Sequence, residues 1–285
     1  MSTKSPRCLT PEVFDFLKEL FPGGVVFFDL ETTGLSPLCD KIIEFAGIKV
    51  IDGKALQKTF LINPEVEILP ENEKIHGISN EMVKTGKSQS DAAKEIESFV
   101  EGCALVAHNS LFDFGFLLTL ANEKNIEFRN NPVYCTCKLS RKINKQFNSH
   151  KLSSLAESFE ITLLNHHRAL DDTIACLEVF LKTIKCSTNP KTSLKDGYLF
   201  NGKDFEGGDL SDLKIPNNLK SLPELVRKKS TFEIMYSGGT KKNQFRKVQG
   251  VSLLPRPNGN VLYALCEETK LYKYYKLKKI KEVKS

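Results

Sequence analysis

Apolar residues fall into two rhythms along this chain. Val25-Val26-Phe27-Phe28 is an unbroken run of β-branched and aromatic residues after the Gly23-Gly24 break, the pattern of a buried strand. Ile42 to Ile51 and Ala55 to Ile62 read as two further strands joined at Asp52-Gly53, a hairpin signal, so the region opens as an antiparallel meander. Cys103 to Ala107 is another short apolar strand. Between these the spacing turns helical. Thr10-Pro11-Glu12 supplies a cap, a proline at the first helical position and an acid in the first turn, with Phe14, Leu17 and Phe21 on one face. Glu71 to Gly77 and Asn80 to Lys84 read as short helical pieces, Asp91 to Val100 as a helix capped by Ser90, and Lys151 to Glu160 as an amphipathic helix. A longer helix opens at His166 to Asp172 and runs through Ala175, Leu177, Val179, Phe180 and Leu181.

Beyond Lys185 the texture changes. Ser187 to Asn217 is rich in Asn, Gly, Asp, Lys and Pro and reads as a linker, with a short ordered piece at Tyr198 to Phe200 and a domain boundary near residue 190. Leu219 to Val226 forms a short helix. Thr231 to Tyr236, Arg246 to Leu254, Asn260 to Cys266 and Lys270 to Leu277 then alternate apolar and polar residues, separated by Ser237-Gly238-Gly239 and Asn258-Gly259. They predict four or five strands of a small barrel. The expected organisation is an N-terminal helix over 1–22, an α/β unit over 23–186, a linker over 187–217 and a basic β-rich unit over 218–285.

Charge sharpens this division. The net charge of +6 hides an asymmetry, because residues 186–285 carry 20 Lys and Arg against 10 Asp and Glu, leaving 21 against 25 for residues 1–185. A slightly acidic first part suits a cation-binding centre, and a basic last part suits a polyanion. No apolar run reaches membrane-spanning length and residues 1–22 lack a signal-peptide core, so a cytoplasmic protein with no membrane partner is expected. The 8 cysteines are scattered, and Cys135 and Cys137 have neither a second pair nor a His at zinc-like spacing.

The apolar run at Val25 to Phe28 delivers two acids, Asp29 and Glu31, whose two-residue spacing points both carboxylates to one face of a strand. Two like charges there repel and lose water unless a cation sits between them, and oxygen-only ligands suit Mg²⁺ or Mn²⁺. After Ala107 comes His108-Asn109-Ser110-Leu111-Phe112-Asp113, in which Asn109 or Ser110 can cap a helix and Asp113 lies in its first turn, near the positive end of the helix dipole. His167 precedes the last long helix and Asp172 sits in that helix's first turn. A histidine on a loop can approach and withdraw from an activated water, which suits a general base.

The segments Phe28-Asp-Leu-Glu-Thr-Thr-Gly-Leu35, Ile75-His-Gly-Ile-Ser79, Val106-Ala-His-Asn-Ser-Leu-Phe-Asp113 and His167-Arg-Ala-Leu-Asp-Asp172 resemble the successive motifs of the DEDDh 3′→5′ exonucleases, DnaQ-like proteins that include the proofreading (epsilon) subunit of bacterial DNA polymerase III. The resemblance covers roughly residues 23–186. It implies an α/β RNase H-like exonuclease fold, a mixed central sheet flanked by helices. It also implies that Asp29, Glu31, Asp113 and Asp172 hold two Mg²⁺ or Mn²⁺ ions and that His167 deprotonates the attacking water. By the same pattern Thr32, Thr33, Gly34, Leu35, His76 and Phe112 line the pocket of the 3′-terminal nucleotide, and Asp171 is not a ligand. Tyr134-Cys135-Thr136-Cys137 departs from the family, whose members commonly carry an Asp-Thr pair there.

Glu233 to Tyr236, Arg246, Leu253-Leu-Pro255, Val261 to Ala264 and Tyr275 to Ile280 resemble WYL-type domains, small SH3-like β-barrels. Lys273, Lys276, Lys278 and Lys279 crowd the end of the chain with Tyr272 and Tyr274 between them, a pattern that can pair phosphates and stack on unpaired bases. The expected function is metal-dependent 3′→5′ exonucleolysis of single-stranded DNA in repair or proofreading, with a DNA polymerase as a partner. Two alternatives stand beside it: trimming of RNA 3′ ends, and a nucleic-acid-binding regulator that uses the C-terminal module.

Overall fold

The computed structural model of the chain describes residues 6, 8–124, 126, 131–163, 167–205, 214–239 and 242–284. Helix α1 (Pro11–Leu20) starts on its proline and buries Val13, Leu17 and Leu20. Gly24, at φ +88, turns the chain into β1 (Val25–Thr32). Strands β2 (Ile42–Ile51) and β3 (Lys54–Leu61) follow as the expected meander, joined at Asp52 and Gly53, both with positive φ. Then come α2 (Pro70–His76), α3 (Asn80–Val83) and α4 (Gln89–Val100). The cap of α4 is Ser88, not Ser90. Its hydroxyl oxygen accepts from the Asp91 N–H at 3.1 Å and its O–H donates to the Asp91 carboxylate, a reciprocal arrangement that Ser90 could not make. Strand β4 (Ala104–Ala107) leads into α5 (Leu111–Lys124), followed by β5 (Pro132–Cys135), α6 (Thr136–Ile143), α7 (Leu152–Ser158) and α8 (Ala169–Lys185).

The expected linker over 187–217 differs in its first half. Asn189 accepts from the Thr192 N–H and caps α9 (Pro190–Gly197), which feeds β6 (Tyr198–Asn201). Strand β6 pairs antiparallel with β5, so it closes the edge of the first sheet. Tyr198 rests on Tyr134 and Phe200 on Phe114, and these ring contacts outweigh the loop-like composition.

That sheet has six strands in the order β3-β2-β1-β4-β5-β6, with β1, β4 and β5 parallel and the other pairs antiparallel. Both faces are covered, which explains the continuous apolar run of β1. Val26, Phe28 and Leu30 pack toward α4 and α5, while Val25 and Phe27 pack toward α1, α7 and α8. Asp29 and Glu31 continue the second set, so both carboxylates emerge on the face that carries α8.

Helix α10 (Leu222–Arg227) and strands β7 (Thr231–Tyr236), β8 (Gln244–Leu254), β9 (Val261–Cys266), β10 (Leu271–Lys276) and β11 (Ile280–Lys284) build a second, antiparallel sheet in the order β10-β9-β8-β7-β11. It docks on the turn that follows β1. Ser252 Oγ donates to the Leu35 carbonyl at 2.5 Å, the Leu253 N–H donates to Ser36 Oγ at 3.2 Å, and Leu38 and Cys39 join the core of the second sheet. Gly115 of α5 marks the same seam, because a Cβ there would lie 3.1 Å from Pro37 and 3.3 Å from Pro255. No helix among the described residues is long and apolar enough to cross a membrane.

Candidate active site

Three carboxylates meet where β1 ends and α8 begins. Asp29, Glu31 and Asp172 each offer an oxygen, and the three oxygens lie within 4.8 Å of one another. The register of β1 on β2 slips between Glu31 and Thr32, a bulge that bends the strand at its second acid. Asp172 is placed by the start of α8, where its N–H donates to the Arg168 carbonyl. Asp113, on the first turn of α5, is buried beside this group. The hydroxyl of Ser110 does not cap α5 but turns back to the Ala107 and Tyr134 carbonyls, fixing the ends of β4 and β5 against each other. Asp171 lies outside the cluster.

The electrostatics describe a site short of positive charge. Burial, followed by the charges of Asp113, Glu31, Asp172 and Glu44, holds Asp29 well above the usual carboxylate range. Glu31 is pushed up to about 8 by burial and then by Asp172 and Glu44, with Arg168 opposing. Burial also pushes Asp113 up to about 8, although the backbone N–H groups of Asp113 and Leu30 favour its charged form. Hard oxygen donors that destabilise one another when ionised are the donor set that divalent Mg²⁺ or Mn²⁺ relieves, so the residues present fit such ions.

His167 stands exposed at the mouth of the site in a left-handed turn, φ +69, and its backbone N–H donates to Asp172 Oδ2 at 3.3 Å. Its neighbour Arg168 forms a link that sequence reasoning missed. Glu44 lies directly opposite Glu31 in the β1/β2 pairing and is buried. Its carboxylate accepts from Arg168 Nη2 at 2.7 Å, from Arg168 Nε at 3.3 Å and from the Ala169 N–H at 3.1 Å. The His167 turn and the start of α8 are thereby tied to the strand next to β1. The available signal was an acid interrupting the apolar run Ile42-Ile43-Glu44-Phe45-Ala46.

The residues expected around a terminal nucleotide gather beside this cluster. Thr32 and Thr33 are buried and shape the turn, Thr32 Oγ1 donating to the Gly34 carbonyl at 2.6 Å and Thr33 Oγ1 accepting from the Lys41 N–H at 2.9 Å. Gly34 passes directly over the Asp40 carboxylate, which accepts from the Ser36 N–H at 2.8 Å, so a side chain there would collide with it. Thr33, Gly34 and Leu35 line a cavity of about 90 Å³ with Asn72, Ile75 and Arg227. Phe112 is half-buried against Phe116. His76 is buried, and its Nδ1 accepts from the Ile78 N–H at 3.0 Å, so Nε2 carries the proton and makes no hydrogen bond among the described residues. Burial lowers the pKa of this ring and keeps it neutral.

On the second sheet, alternation separates the predicted residues. Tyr272, Tyr274 and Lys276 share the outer face of β10 with Tyr263 of β9, whereas Lys273 falls on the face of buried Tyr275. Lys278 and Lys279 lie in a short 3₁₀ turn, Leu277–Lys279.

A family model described as exonuclease matches residues 26–180. The DNA polymerase III PolC-type of Caldanaerobacter subterraneus subsp. tengcongensis is 38% identical over 165 residues, which are 57% of this chain and 12% of that protein. Its Bacillus subtilis counterpart is 37% identical over 163 residues, 56% of this chain and 11% of that protein. The chain therefore spans about 12% of the length of the curated relatives it matches. Among solved structures, E. coli exonuclease I in complex with a dA16 oligonucleotide is similar at a TM-score of 0.53 and 16% identity, over 85% of this chain and 55% of that one. Exonuclease I from Methylocaldum szegediense is similar at 0.54 and 19%, over 92% of this chain and 64% of that one. These structural likenesses concern architecture, and they agree with the α/β fold built around β1.

Proposed function

Because the chain belongs to the exonuclease family, and so to the phosphodiester hydrolases, we propose that it is a metal-dependent 3′→5′ exonuclease. It removes nucleoside 5′-monophosphates one at a time from single-stranded DNA ends, in the cytoplasm, in repair or in proofreading beside a DNA polymerase. The convergence of Asp29, Glu31 and Asp172 within 4.8 Å, with Asp113 buried beside them and His167 at the mouth, carries this reading. The preference for DNA rests on the PolC-type relatives.

Asp29, Glu31, Asp113 and Asp172 would hold two Mg²⁺ or Mn²⁺ ions, which when bound supply an acidified water and offset charge developing on the phosphate. The rest is the work of side chains. His167 takes the proton of the attacking water, since it stands exposed at the mouth of the site with its backbone N–H anchored on Asp172. The unpaired Nε2–H of His76 donates to an oxygen of the terminal nucleotide. The turn of Thr32, Thr33, Gly34 and Leu35 seats that nucleotide, with Phe112 against its base or sugar. The C-terminal sheet, which we read as a small SH3-like barrel of WYL type, adds affinity through Lys273, Lys276, Lys278, Lys279, Tyr272 and Tyr274.

The test is degradation of 5′-labelled DNA and RNA oligonucleotides, single-stranded and duplex, with Mg²⁺, with Mn²⁺ and with EDTA, beside His167→Ala. Stepwise shortening from the 3′ end of single-stranded DNA, dependent on metal and lost in the variant, is the expected result. No digestion under any condition would overturn the reading.

A further inference from the structure

Outside the carboxylate cluster a groove of about 440 Å³ lies at the seam between the two sheets. One wall is Leu111 of α5 and Phe200 of β6, and the other is the β8/β9 turn and β10 with Arg256, Tyr274, Lys276 and Lys279. Leu111 opens α5 and directly precedes Phe112, one of the residues expected around the terminal nucleotide, so the groove starts at the helix turn that carries that residue. Among the described residues that line it there are three cations and no acid.

Arg256 presents a donor into this groove that no described residue satisfies. Its guanidinium stacks 4.0 Å from the Tyr274 ring centroid, yet its Nε is buried and makes no hydrogen bond among the described residues. Leaving a buried donor unpaired destabilises the fold, and an anion entering the groove removes that penalty. The stack continues along the outer face of the sheet. Tyr263 lies 4.8 Å from Tyr274 and 5.4 Å from Tyr272, both at an interplanar angle of 27°, and Tyr272 ends the row 59% exposed. Pre-stacked rings beside a cationic furrow match the alternation of phosphate and base in an unpaired strand.

We propose that this groove holds single-stranded DNA upstream of the scissile nucleotide, with Arg256, Lys276 and Lys279 on successive phosphates and the open ring of Tyr272, backed by Tyr263 and Tyr274, as the base-stacking surface. The inference rests on the exonuclease reading for its direction, because the strand's 3′ end must reach the carboxylate cluster. It assigns Arg256, which the basic residues at the end of the sequence did not suggest. The groove is a stable surface, since the hydrogen bonds from Ser252 to Leu35 and from Leu253 to Ser36 fix one sheet against the other.

The test measures binding of 5′-fluorescein-dT12 to the full chain by anisotropy in EDTA across a salt series, for wild type, Arg256→Gln and the triple variant Arg256→Gln/Lys276→Gln/Lys279→Gln. Melting temperature verifies that each variant folds. A single-strand phosphate contact adds about 0.7 to the slope of log affinity against log salt, so the triple variant should lose about 2 from that slope and bind at least about tenfold more weakly. A folded triple variant with wild-type affinity and slope would overturn the proposal. Tighter wild-type binding to rU12 or to a 12-base-pair duplex than to dT12 would overturn the assignment to single-stranded DNA. Hydrolysis of thymidine 5′-(p-nitrophenyl phosphate) by the wild-type protein with Mn²⁺ checks the exonuclease reading separately, because so small a substrate cannot span the groove. Failure of that reaction with intact dT12 binding would remove the exonuclease reading and leave the groove standing.

Discussion

Loading the site with metal should release protons in a number that its burial sets. Glu31 and Asp113 are both pushed up to about 8, and Asp29 is held higher than ordinary carboxylates by burial and by the surrounding acids. At pH 7 a carboxyl with a pKa of about 8 is about nine-tenths protonated, yet each must be ionised to act as a ligand. Glu31 and Asp113 alone then give up about two protons, and Asp29 adds to that number. The apparent affinity for Mn²⁺ should accordingly rise at least about 100-fold per pH unit between pH 6 and 7 and less steeply above about pH 8. The metal-free fold carries the opposite dependence. The folded pKa values lie above the unfolded ones near 4, so the stability these acids contribute is complete below about pH 4 and is lost as pH rises through about 8. Calorimetric titration in two buffers of different ionisation enthalpy counts the protons, and melting in EDTA at pH 5 to 8 follows the stability. Less than one proton released at pH 6.5, with Mn²⁺ affinity flat from pH 6 to 8, would refute the reasoning.

Replacing Glu44 by Ala leaves Arg168 without its partner and frees the His167 turn. The intact buried-pair figure of about 3–5 kcal/mol must be discounted because the Arg168 side chain is 42% exposed, so a loss of roughly 1–3 kcal/mol is expected in denaturant unfolding. A double-mutant cycle with Arg168→Gln should recover a coupling of the same order, and additive effects would dismiss the link. Gly34→Ala drives a methyl group into the Asp40 carboxylate and should destabilise by about 1–3 kcal/mol, whereas a neutral result in thermal melting would show that the turn yields. Ser252→Ala removes the hydrogen bond to the Leu35 carbonyl and should cost about 1 kcal/mol. Faster amide exchange at Leu38 and Leu253, whose N–H groups bond across the seam, would report that loss, and unchanged protection would count against a role for Ser252 in docking the sheet.

The strand that carries Asp29 and Glu31, the meander and the acids were legible in the sequence because their signals are local. Two-residue spacing alone put Asp29 and Glu31 on one face, Asp52-Gly53 alone specified a tight turn, and helix starts alone placed Asp113 and Asp172. Local signals also misled, as when Ser90 was a plausible cap and Ser88 won by reciprocal bonding with Asp91. The polar stretch before β6 concealed helix α9, and the ordered piece expected at Tyr198 to Phe200 is an edge strand, because its stability comes from Tyr134, Phe114 and the open edge of β5, all distant in sequence. Only tertiary structure decided which acids and cations meet. Glu44 reaches Arg168 across 124 residues and Ser252 reaches Leu35 across 217, and no periodicity encodes a contact made by packing one finished element on another. The same packing brought Arg256 to the groove beside α5. Chain-local sterics and hydrogen bonding determined the elements and their chemistry, and burial against distant partners determined how that chemistry is held.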